Sequence, residues 1–146
     1  MEIFKEKVHL TDKITLGGDK MVLFAGPCAA ESYDLCLETG TKVKQICAEL
    51  GIEYIFKASF DKANRSSINS FRGPGINEGL KILNKVRKTV DVPVLSDVHE
   101  VAQALFAGAI LDVLQIPAFL CRQTDLLVAA AKTGKIVNVK KGQFLS

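Results

Sequence analysis

The segment Ile52–Ser59, IEYIFKAS, decides the fold because it joins a buried strand to a polar end. Its apolar run ends at Phe56, and Lys57 and Ser59 follow on one face, since side chains alternate along a strand. The same order of apolar run and polar end recurs in neighbouring segments. This recurrence indicates a parallel sheet whose strands end at one polar edge.

Further apolar runs of strand length lie on both sides of this segment. We predict strands in MVLFAGPCA (Met21–Ala29), VPVLSDVH, LDVLQIPAF and KIVNVKKGQF. Polar residues close these strands as well, and strand alternation places Asp97 with His99, and Asn138 with Lys140, on shared faces. Cys28 and Gln115 occupy the corresponding ends of two other strands.

Stretches of helical period separate the strands. Ser32 is predicted to cap a first helix that Gly51 ends, and Ile76 opens the second. A short helix follows over Glu100–Ala107, and Thr124 is predicted to cap a fourth helix. Strands and helices that alternate with short connections require a parallel sheet with right-handed crossovers.

The choice lies between a doubly wound sheet and a (β/α)8 TIM barrel. A dinucleotide fold would show GxGxxG after its first strand, which AGPCAAES does not supply. Polar residues at every strand end instead match the place where a barrel builds its active site. Since a barrel needs about 250 residues, the 146-residue chain is predicted to be an N-terminal half.

The predicted α/β chain is a single domain over residues 1–146, with a hairpin in residues 1–20. The hairpin covers Lys7–Asp19 with Gly17–Gly18 as its turn, and it could plug the bottom of the barrel. Residues 21–146 then hold four barrel units and a fifth strand.

Composition describes a soluble globular protein and excludes several function classes. The net charge is +3, and its basic residues are mostly spread among acids, which argues against nucleic acid as a partner. No apolar run is long enough for a membrane span or a signal peptide, so we expect a cytoplasmic protein without a membrane partner. The four cysteines share no CxxC spacing and are expected to be reduced.

The stretch FKASFDKANRSSINSFRGPG, Phe56–Gly75, carries an unusual density of cations. Lys57, Lys62, Arg65 and Arg72 alternate there with hydroxyl and amide side chains. A solvated surface loop could have this composition, but side chains of these types also bind phosphates. The stretch therefore predicts an anion site.

These residues also resemble a known family. The stretch above, together with SDVHE, QIPAFLCRQTDL and AAAKTGKIVNVKKGQF, resembles 3-deoxy-D-manno-octulosonate 8-phosphate synthase, and GPCAAES resembles its metal-dependent class. Sister enzymes that use erythrose 4-phosphate share GPC-A-ES but carry a Lys-Pro-Arg-Thr type motif where this chain has Lys57-Ala-Ser. That difference favours the enzyme that uses arabinose 5-phosphate.

The resemblance implies a homotetrameric barrel transferase that condenses phosphoenolpyruvate with D-arabinose 5-phosphate and releases phosphate. Its product feeds lipopolysaccharide synthesis. It further implies that Lys62 and Asp97 are catalytic, with Arg122 reaching a neighbouring subunit's site. The substrate-binding residues that it implies are Lys57, Ser59, Lys62, Asn64, Arg65, Ser66, Gln115, Arg122 and Lys140.

Cys28 is the candidate metal ligand. A lone cysteine is usually a packing residue, but the resemblance implies that this one binds a divalent ion: Mn, Zn, Fe, Co or Cd. The other ligands of the family, a His, a Glu and an Asp, come from the second half of the barrel. This chain is thus expected to supply one ligand.

Several alternatives remain open from the sequence. Asp97 could cap the helix near Glu100, and His99 is either a partner of the site residues or a buried core histidine. The chain could also be a related synthase for another aldose phosphate, or a truncated fragment that binds phosphates without turnover.

Overall fold

The computed structural model describes residues 6–145 and contains a five-stranded parallel sheet. Residues 1–5 of the predicted hairpin segment and residue 146 lie outside the described part. The sheet strands pair in chain order. They are β3 (Val22–Ala25), β4 (Glu53–Lys57), β5 (Val94–Asp97), β6 (Val113–Ile116) and β7 (Ile136–Val139). Sequential parallel order with helical crossovers is the architecture of the first half of a (β/α)8 barrel, so the fold prediction is confirmed.

One helix follows each of the first four sheet strands. The helices are α1 (Tyr33–Leu50), α2 (Ile76–Val86), α3 (Val101–Gly108) and α4 (Thr124–Lys132), and a π-helical segment, Arg87–Asp91, extends α2. The cap predictions for α1 are confirmed, because Ser32 accepts a hydrogen bond from the Leu35 N–H and Gly51 is left-handed at φ 68°.

The helices cover one face of the sheet and form the larger core. Phe56, Val94 and Leu114 project from the strands into this layer and are fully buried. Leu83 of α2 and Ala130 of α4 belong to the same cluster and are also fully buried. These contacts leave the opposite face of the sheet for the hairpin and the polar residues.

The N-terminal hairpin packs on that opposite face. Strands β1 (Val8–His9) and β2 (Thr15–Leu16) pair antiparallel, and Ile14 between them is only 5% exposed. Its side chain joins an inner cluster with residues of β4, β5 and β6: Ile55, Leu95 and Val113. The hairpin thus covers the apolar part of the face that carries Lys57 and Asp97 further along the strands.

The turn of this hairpin was predicted wrongly. The chain reverses over residues 10–14, and Gly17–Gly18 follow β2. Thr11 accepts hydrogen bonds through Oγ1 from the backbone N–H groups of Lys13 and Ile14, which stabilises the reversal without glycine.

Two further local predictions need correction. The strand in LDVLQIPAF ends at Ile116, because Pro117 lacks an N–H for the ladder and Ala118–Leu120 form a 3-10 turn. Helix α4 has Gln123 as its N-cap, and Thr124 is already its first helical residue. The 3-10 turn causes this shift, since the Gln123 N–H donates to the carbonyl of Leu120.

Within residues 6–145, no helix has the length and apolar character that crossing a membrane requires.

Candidate active site

Polar side chains gather at the carboxyl ends of the parallel strands. Asp97, Gln115 and Asn138 occupy paired register positions on β5, β6 and β7, and Asn138 Nδ2 donates to Gln115 Oε1 at 3.0 Å. Lys57 ends β4 on the same side. The prediction that these strand ends form one edge is therefore confirmed.

Ser59 is the centre of the cluster. It is fully buried, and its Oγ accepts from Lys57 Nζ at 3.0 Å and from Lys62 Nζ at 2.9 Å. The hydroxyl donates its own proton to Asp97 Oδ1. A hydroxyl has one proton and two lone pairs, so these three bonds use its whole capacity and fix both ammonium groups.

Asp97 is an ionised acceptor in this network. Burial raises the pKa of its carboxyl, but hydrogen bonds with His99 and Ser59 and the charge of Lys57 outweigh burial and lower the pKa from 3.8 to about 2. Oδ2 lies 3.0 Å from His99 Nε2. Asp97 makes no helix cap, since α3 begins after Glu100 without a side-chain cap bond, so the alternative that it caps this helix is wrong.

The two lysines concentrate positive charge beside this carboxylate. Burial lowers the pKa of Lys57 and the charge of Lys62 lowers it further, although the charge of Asp97 opposes both. Lys57 Nζ lies 4.0 Å from Asp97 Oδ1. One carboxylate cannot balance two ammonium groups, so the cluster retains an excess of positive charge.

The segment Asp61–Arg72, here the rim loop, is closed at its base by its terminal side chains. Arg72 Nε donates to Asp61 Oδ1 at 2.8 Å, and a second hydrogen bond joins Nη2 to Oδ2. The Lys62 N–H donates to the Arg72 carbonyl at 2.6 Å. Gly73 follows at φ 123°, where an added Cβ would lie 2.6 Å from the Phe60 carbonyl oxygen. A side chain there would therefore disturb the base of the loop.

The predicted sugar-phosphate residues lie on this loop and face solvent. Asn64, Arg65 and Ser66 are exposed, and Arg65 Nε donates to the Phe71 carbonyl at 3.2 Å. That bond holds the guanidinium within the rim loop.

Two other predicted residues stay outside the buried cluster. Arg122 and Lys140 are exposed, and in the described part of the chain neither side chain bonds to Ser59 or Asp97. Arg122 follows the 3-10 turn, and Lys140 follows β7 with its N–H bonded to the carbonyl of Ile116. Both therefore occupy the rim of the strand-end edge rather than its floor.

Cys28 lies beside the cluster, in the segment that follows β3 after Ala25. The Ser59 N–H donates to the carbonyl of Cys28 at 3.4 Å, and Gly26 permits this close approach because a Cβ there would lie 2.2 Å from the Lys57 carbonyl oxygen. Cys28 is exposed. No group of three His, Cys, Asp or Glu side chains among residues 6–145 could hold a metal, and the metal role of Cys28 stays a prediction.

Sequence reasoning missed Gln103 and the pairing of Asp61 with Arg72. Gln103 Oε1 accepts from the His99 N–H at 3.0 Å and lies 3.3 Å from His99 Nδ1. Gln at the third position of a helix is a known partner for N–H groups at its start, a signal that could have revealed the contact. His99 itself is a partner of a site residue, one of its two predicted roles.

Comparison with known proteins identifies the family. Residues 5–146 match the model of the DAHP synthetase I family. The chain belongs to this family. Two relatives named 2-dehydro-3-deoxyphosphooctonate aldolase, from Koribacter versatilis and Fusobacterium nucleatum, are each 62% identical over 91% of this chain and 48% of their own length. A third of the same name, from Cyanothece sp., is 55% identical over 96% of this chain and 52% of its own length.

These relatives confirm the resemblance stated from the motifs, because their name denotes 3-deoxy-D-manno-octulosonate 8-phosphate synthase. The chain spans about half the length of the curated relatives that it matches.

Proposed function

We propose that the protein carrying this chain condenses phosphoenolpyruvate with D-arabinose 5-phosphate and water, giving 3-deoxy-D-manno-octulosonate 8-phosphate and inorganic phosphate. The observation that carries the proposal is the convergence of Lys57 and Lys62 on the buried hydroxyl of Ser59. The names of the relatives and the order of the strand-end residues support it.

The lysine pair suits phosphoenolpyruvate, which brings a phosphate and a carboxylate into one small volume. Burying such ions without opposite charges costs several kcal/mol each. Lys57 and Lys62 supply two cations in fixed positions, and Gln115 can add an amide donor from the next strand end. Lys140 at the rim extends the positive surface toward the same substrate.

The rim loop suits the sugar phosphate. Arg65 presents a planar guanidinium that can bind a phosphate through two hydrogen bonds, and Asn64 and Ser66 flank it with an amide and a hydroxyl. Arg122 is proposed to complete this site in a neighbouring subunit. That role requires the homotetramer that the family resemblance implies.

The reaction places definite demands on these residues. Carbon 3 of phosphoenolpyruvate bonds to the aldehyde carbon, water bonds at carbon 2, and the resulting hemiketal phosphate then releases phosphate. Lys62 and Lys57 stabilise the charge that develops on the oxygens. Asp97, with its lowered pKa, is ionised at neutral pH and therefore acts by orienting hydroxyl groups and ammonium groups rather than as a proton donor.

Cys28 is proposed to contribute one thiolate ligand to a divalent ion. Such an ion acts as a Lewis acid toward oxygen atoms of a substrate. A cytoplasmic location stays a prediction.

The proposal is tested by phosphate release from phosphoenolpyruvate with alternative sugars. Arabinose 5-phosphate is expected to support turnover far better than erythrose 4-phosphate. A preference for the four-carbon sugar would reject the assignment in favour of a related synthase. Binding of both phosphates without turnover by the complete protein would reject the enzymatic function.

A further inference from the structure

Helix α2 contacts the backbone of the site cluster at a glycine. Gly79 lies near the start of α2 and is buried, and a Cβ added there would lie 2.3 Å from Phe60 Cβ and 3.0 Å from Phe60 Cα. Carbon atoms in van der Waals contact are about 3.5–4.0 Å apart, so no side chain fits between the helix and this residue. The missing side chain of Gly79 therefore sets how close α2 comes to Phe60.

The backbone of Phe60 is bonded to the same end of α2. The N–H of Gly75, the N-cap residue of this helix, donates to the Phe60 carbonyl oxygen at 3.0 Å, and the Gly79 N–H donates to the Gly75 carbonyl at 2.9 Å. The Phe60 side chain is fully buried in the larger core. Both parts of Phe60 are thus fixed relative to the start of α2.

Phe60 also stands in the chain between two members of the site cluster. Ser59 precedes it, and Lys62 follows two residues later. Lys62 Nζ donates to Ser59 Oγ at 2.9 Å, and this hydroxyl donates to Asp97 Oδ1. A displacement of the Phe60 backbone would therefore move both partners of the Lys62–Ser59 bond.

We propose that Gly79 is a positioning residue for the lysine pair. Because it has no side chain, α2 lies directly against the backbone of Phe60 and fixes the chain on both sides of it. That placement keeps Ser59 Oγ within hydrogen-bond distance of Lys57 Nζ and Lys62 Nζ, at 3.0 and 2.9 Å. The importance of the pair for phosphoenolpyruvate rests on the proposed function, whereas its affinity for an anion does not.

A side chain at position 79 would act on the site and not on α2 alone. The atoms that it would meet first are Phe60 Cβ and Cα, which cannot turn away as the end of a flexible side chain can. To reach van der Waals contact, the two Cβ atoms would have to separate by more than about 1 Å. Leu83 and Val86 of α2 are fully buried, so the helix cannot withdraw without opening the core. The displacement is therefore expected at Phe60 and its neighbours.

The test compares two buried helical glycines in the complete protein. Gly79→Ala adds the Cβ described above. Gly108→Ala is the matched control, because Gly108 is buried at the end of α3 and an added Cβ there would lie 2.8 Å from Cγ2 of Thr133, which follows α4. Calorimetry with inorganic phosphate measures the anion affinity of the lysine pair, and an Arg65→Ala background removes the exposed guanidinium of the rim loop as a competing site.

Gly79→Ala is expected to raise the Kd for phosphate roughly tenfold, because a hydrogen bond to a charged group contributes to affinity at about that level. With Arg65 present, kcat/KM for phosphoenolpyruvate should fall roughly a hundredfold, the effect of a misplacement of about 1 Å. Gly108→Ala should lower the urea midpoint and leave both phosphate affinity and turnover unchanged. A merely structural role of Gly79 would make the two alanine variants behave alike.

A second variant distinguishes the backbone contact from the Phe60 ring. Phe60→Leu keeps the Cβ and the backbone contact with Gly79, so it should lower stability and change phosphate affinity much less than Gly79→Ala does. Equal losses of phosphate affinity in these two variants would overturn the proposal, because the ring would then position the site.

Two other outcomes contradict the proposal. Equal phosphate affinities of the Gly79→Ala and Gly108→Ala proteins would show that the contact with Phe60 does not position the lysines. A Gly79→Ala protein that does not fold would show that Gly79 serves the fold as a whole. Since calorimetry with phosphate needs no turnover, these failures are distinct from a failure of the proposed synthase activity.

Discussion

Asp61 and Arg72 join the two ends of the rim loop through paired hydrogen bonds between carboxylate and guanidinium. Asn64, Arg65 and Ser66, which are proposed to bind the sugar phosphate, lie between them. Since a fork of two parallel bonds fixes direction as well as distance, the pair sets the shape of the loop. Arg72 is therefore paired with Asp61 and is not available to bind substrate, although it is one of the cations that make the sequence of Phe56–Gly75 basic.

Removing the Asp61–Arg72 pair, here the clamp, should weaken the binding of the sugar phosphate and leave the binding of phosphoenolpyruvate nearly unchanged. Asp61→Asn leaves the loop less ordered, so the KM for arabinose 5-phosphate is expected to rise roughly twofold to fivefold, with little change in the KM for phosphoenolpyruvate. The doubly exchanged variant, Asp61→Arg with Arg72→Asp, should recover part of the loss. Glu78→Gln, which removes an exposed ion pair on α2, is the control. Equal effects of Asp61→Asn on both substrates would contradict the clamp.

Strand periodicity was sufficient to predict the floor of the site. Alternation places Lys57 with Ser59 and Asp97 with His99 on one face, and parallel pairing then brings the ends of neighbouring strands together. The structure confirms that these strand ends form one edge of the sheet. The parallel register pairs Asp97 with Gln115 and Gln115 with Asn138, so their side chains lie next to one another.

Local turn chemistry and side-chain pairing could not be deduced in this way. The hairpin reverses through the Thr11 hydroxyl, although Gly17–Gly18 is the stronger turn signal in the sequence. The bonds from Gln103 and between Asp61 and Arg72 depend on where a helix begins and how a loop closes. Periodicity carries no information about either.

The hairpin should contribute to stability through Ile14. Ile14→Ala removes a side chain packed on Ile55, Leu95 and Val113, and a cavity of this kind costs about 2–4 kcal/mol of the free energy of unfolding. Urea denaturation measures the change. Ile68→Ala, at a residue that is 93% exposed, should have almost no effect. A similar loss in both variants would show that the hairpin does not pack as described.

Asp97 should make stability depend on pH in the acid range. Its pKa is lowered from 3.8 to about 2 on folding, so its contribution is present above pH 4 and is lost as the pH falls through about 2. A pKa lowered from 3.8 to about 2 corresponds to roughly 2–3 kcal/mol of stability at pH 7.

Asp97→Asn should therefore unfold more easily by about that amount at pH 7, and its difference from the wild type should shrink between pH 4 and pH 2. Urea titrations at several pH values measure this. Asp12→Asn, at an exposed carboxyl, serves as the control and should show no such trend. If the difference in the free energy of unfolding between the two proteins stays constant down to pH 2, the charge of Asp97 does not stabilise the fold.

Arg65 should affect the affinity for the sugar phosphate but not the affinity for phosphoenolpyruvate. Arg65→Ala removes a charge-assisted contact worth about 2 kcal/mol, so the KM for arabinose 5-phosphate should rise roughly thirtyfold while that for phosphoenolpyruvate stays nearly constant. Arg65→Lys should recover only part, since a lysine cannot make two parallel bonds. Lys81→Ala, which removes an exposed cation of α2, is the control. Equal loss of both affinities would show that Arg65 holds the rim loop through Phe71 instead.

Cys28 is expected to bind a divalent ion, because it is exposed and its backbone carbonyl accepts the N–H of Ser59, and a thiolate is a strong ligand for Zn²⁺ and related ions. Chelation of the complete protein should abolish turnover, and added Mn²⁺ or Zn²⁺ should restore it. Cys28→Ser should lower the metal content measured after dialysis, whether or not the protein is active.

The metal content of the protein distinguishes a ligand role of Cys28 from a packing role. Cys121→Ala changes a thiol that is only 8% exposed, so it should retain metal as the wild type does even where it lowers stability. Among residues 6–145 no three His, Cys, Asp or Glu side chains could hold a metal together, so the 146-residue chain alone should bind metal weakly. Full turnover after exhaustive chelation, or an unchanged metal content in Cys28→Ser, would refute the role, because a protein that loses a ligand must hold its ion less tightly.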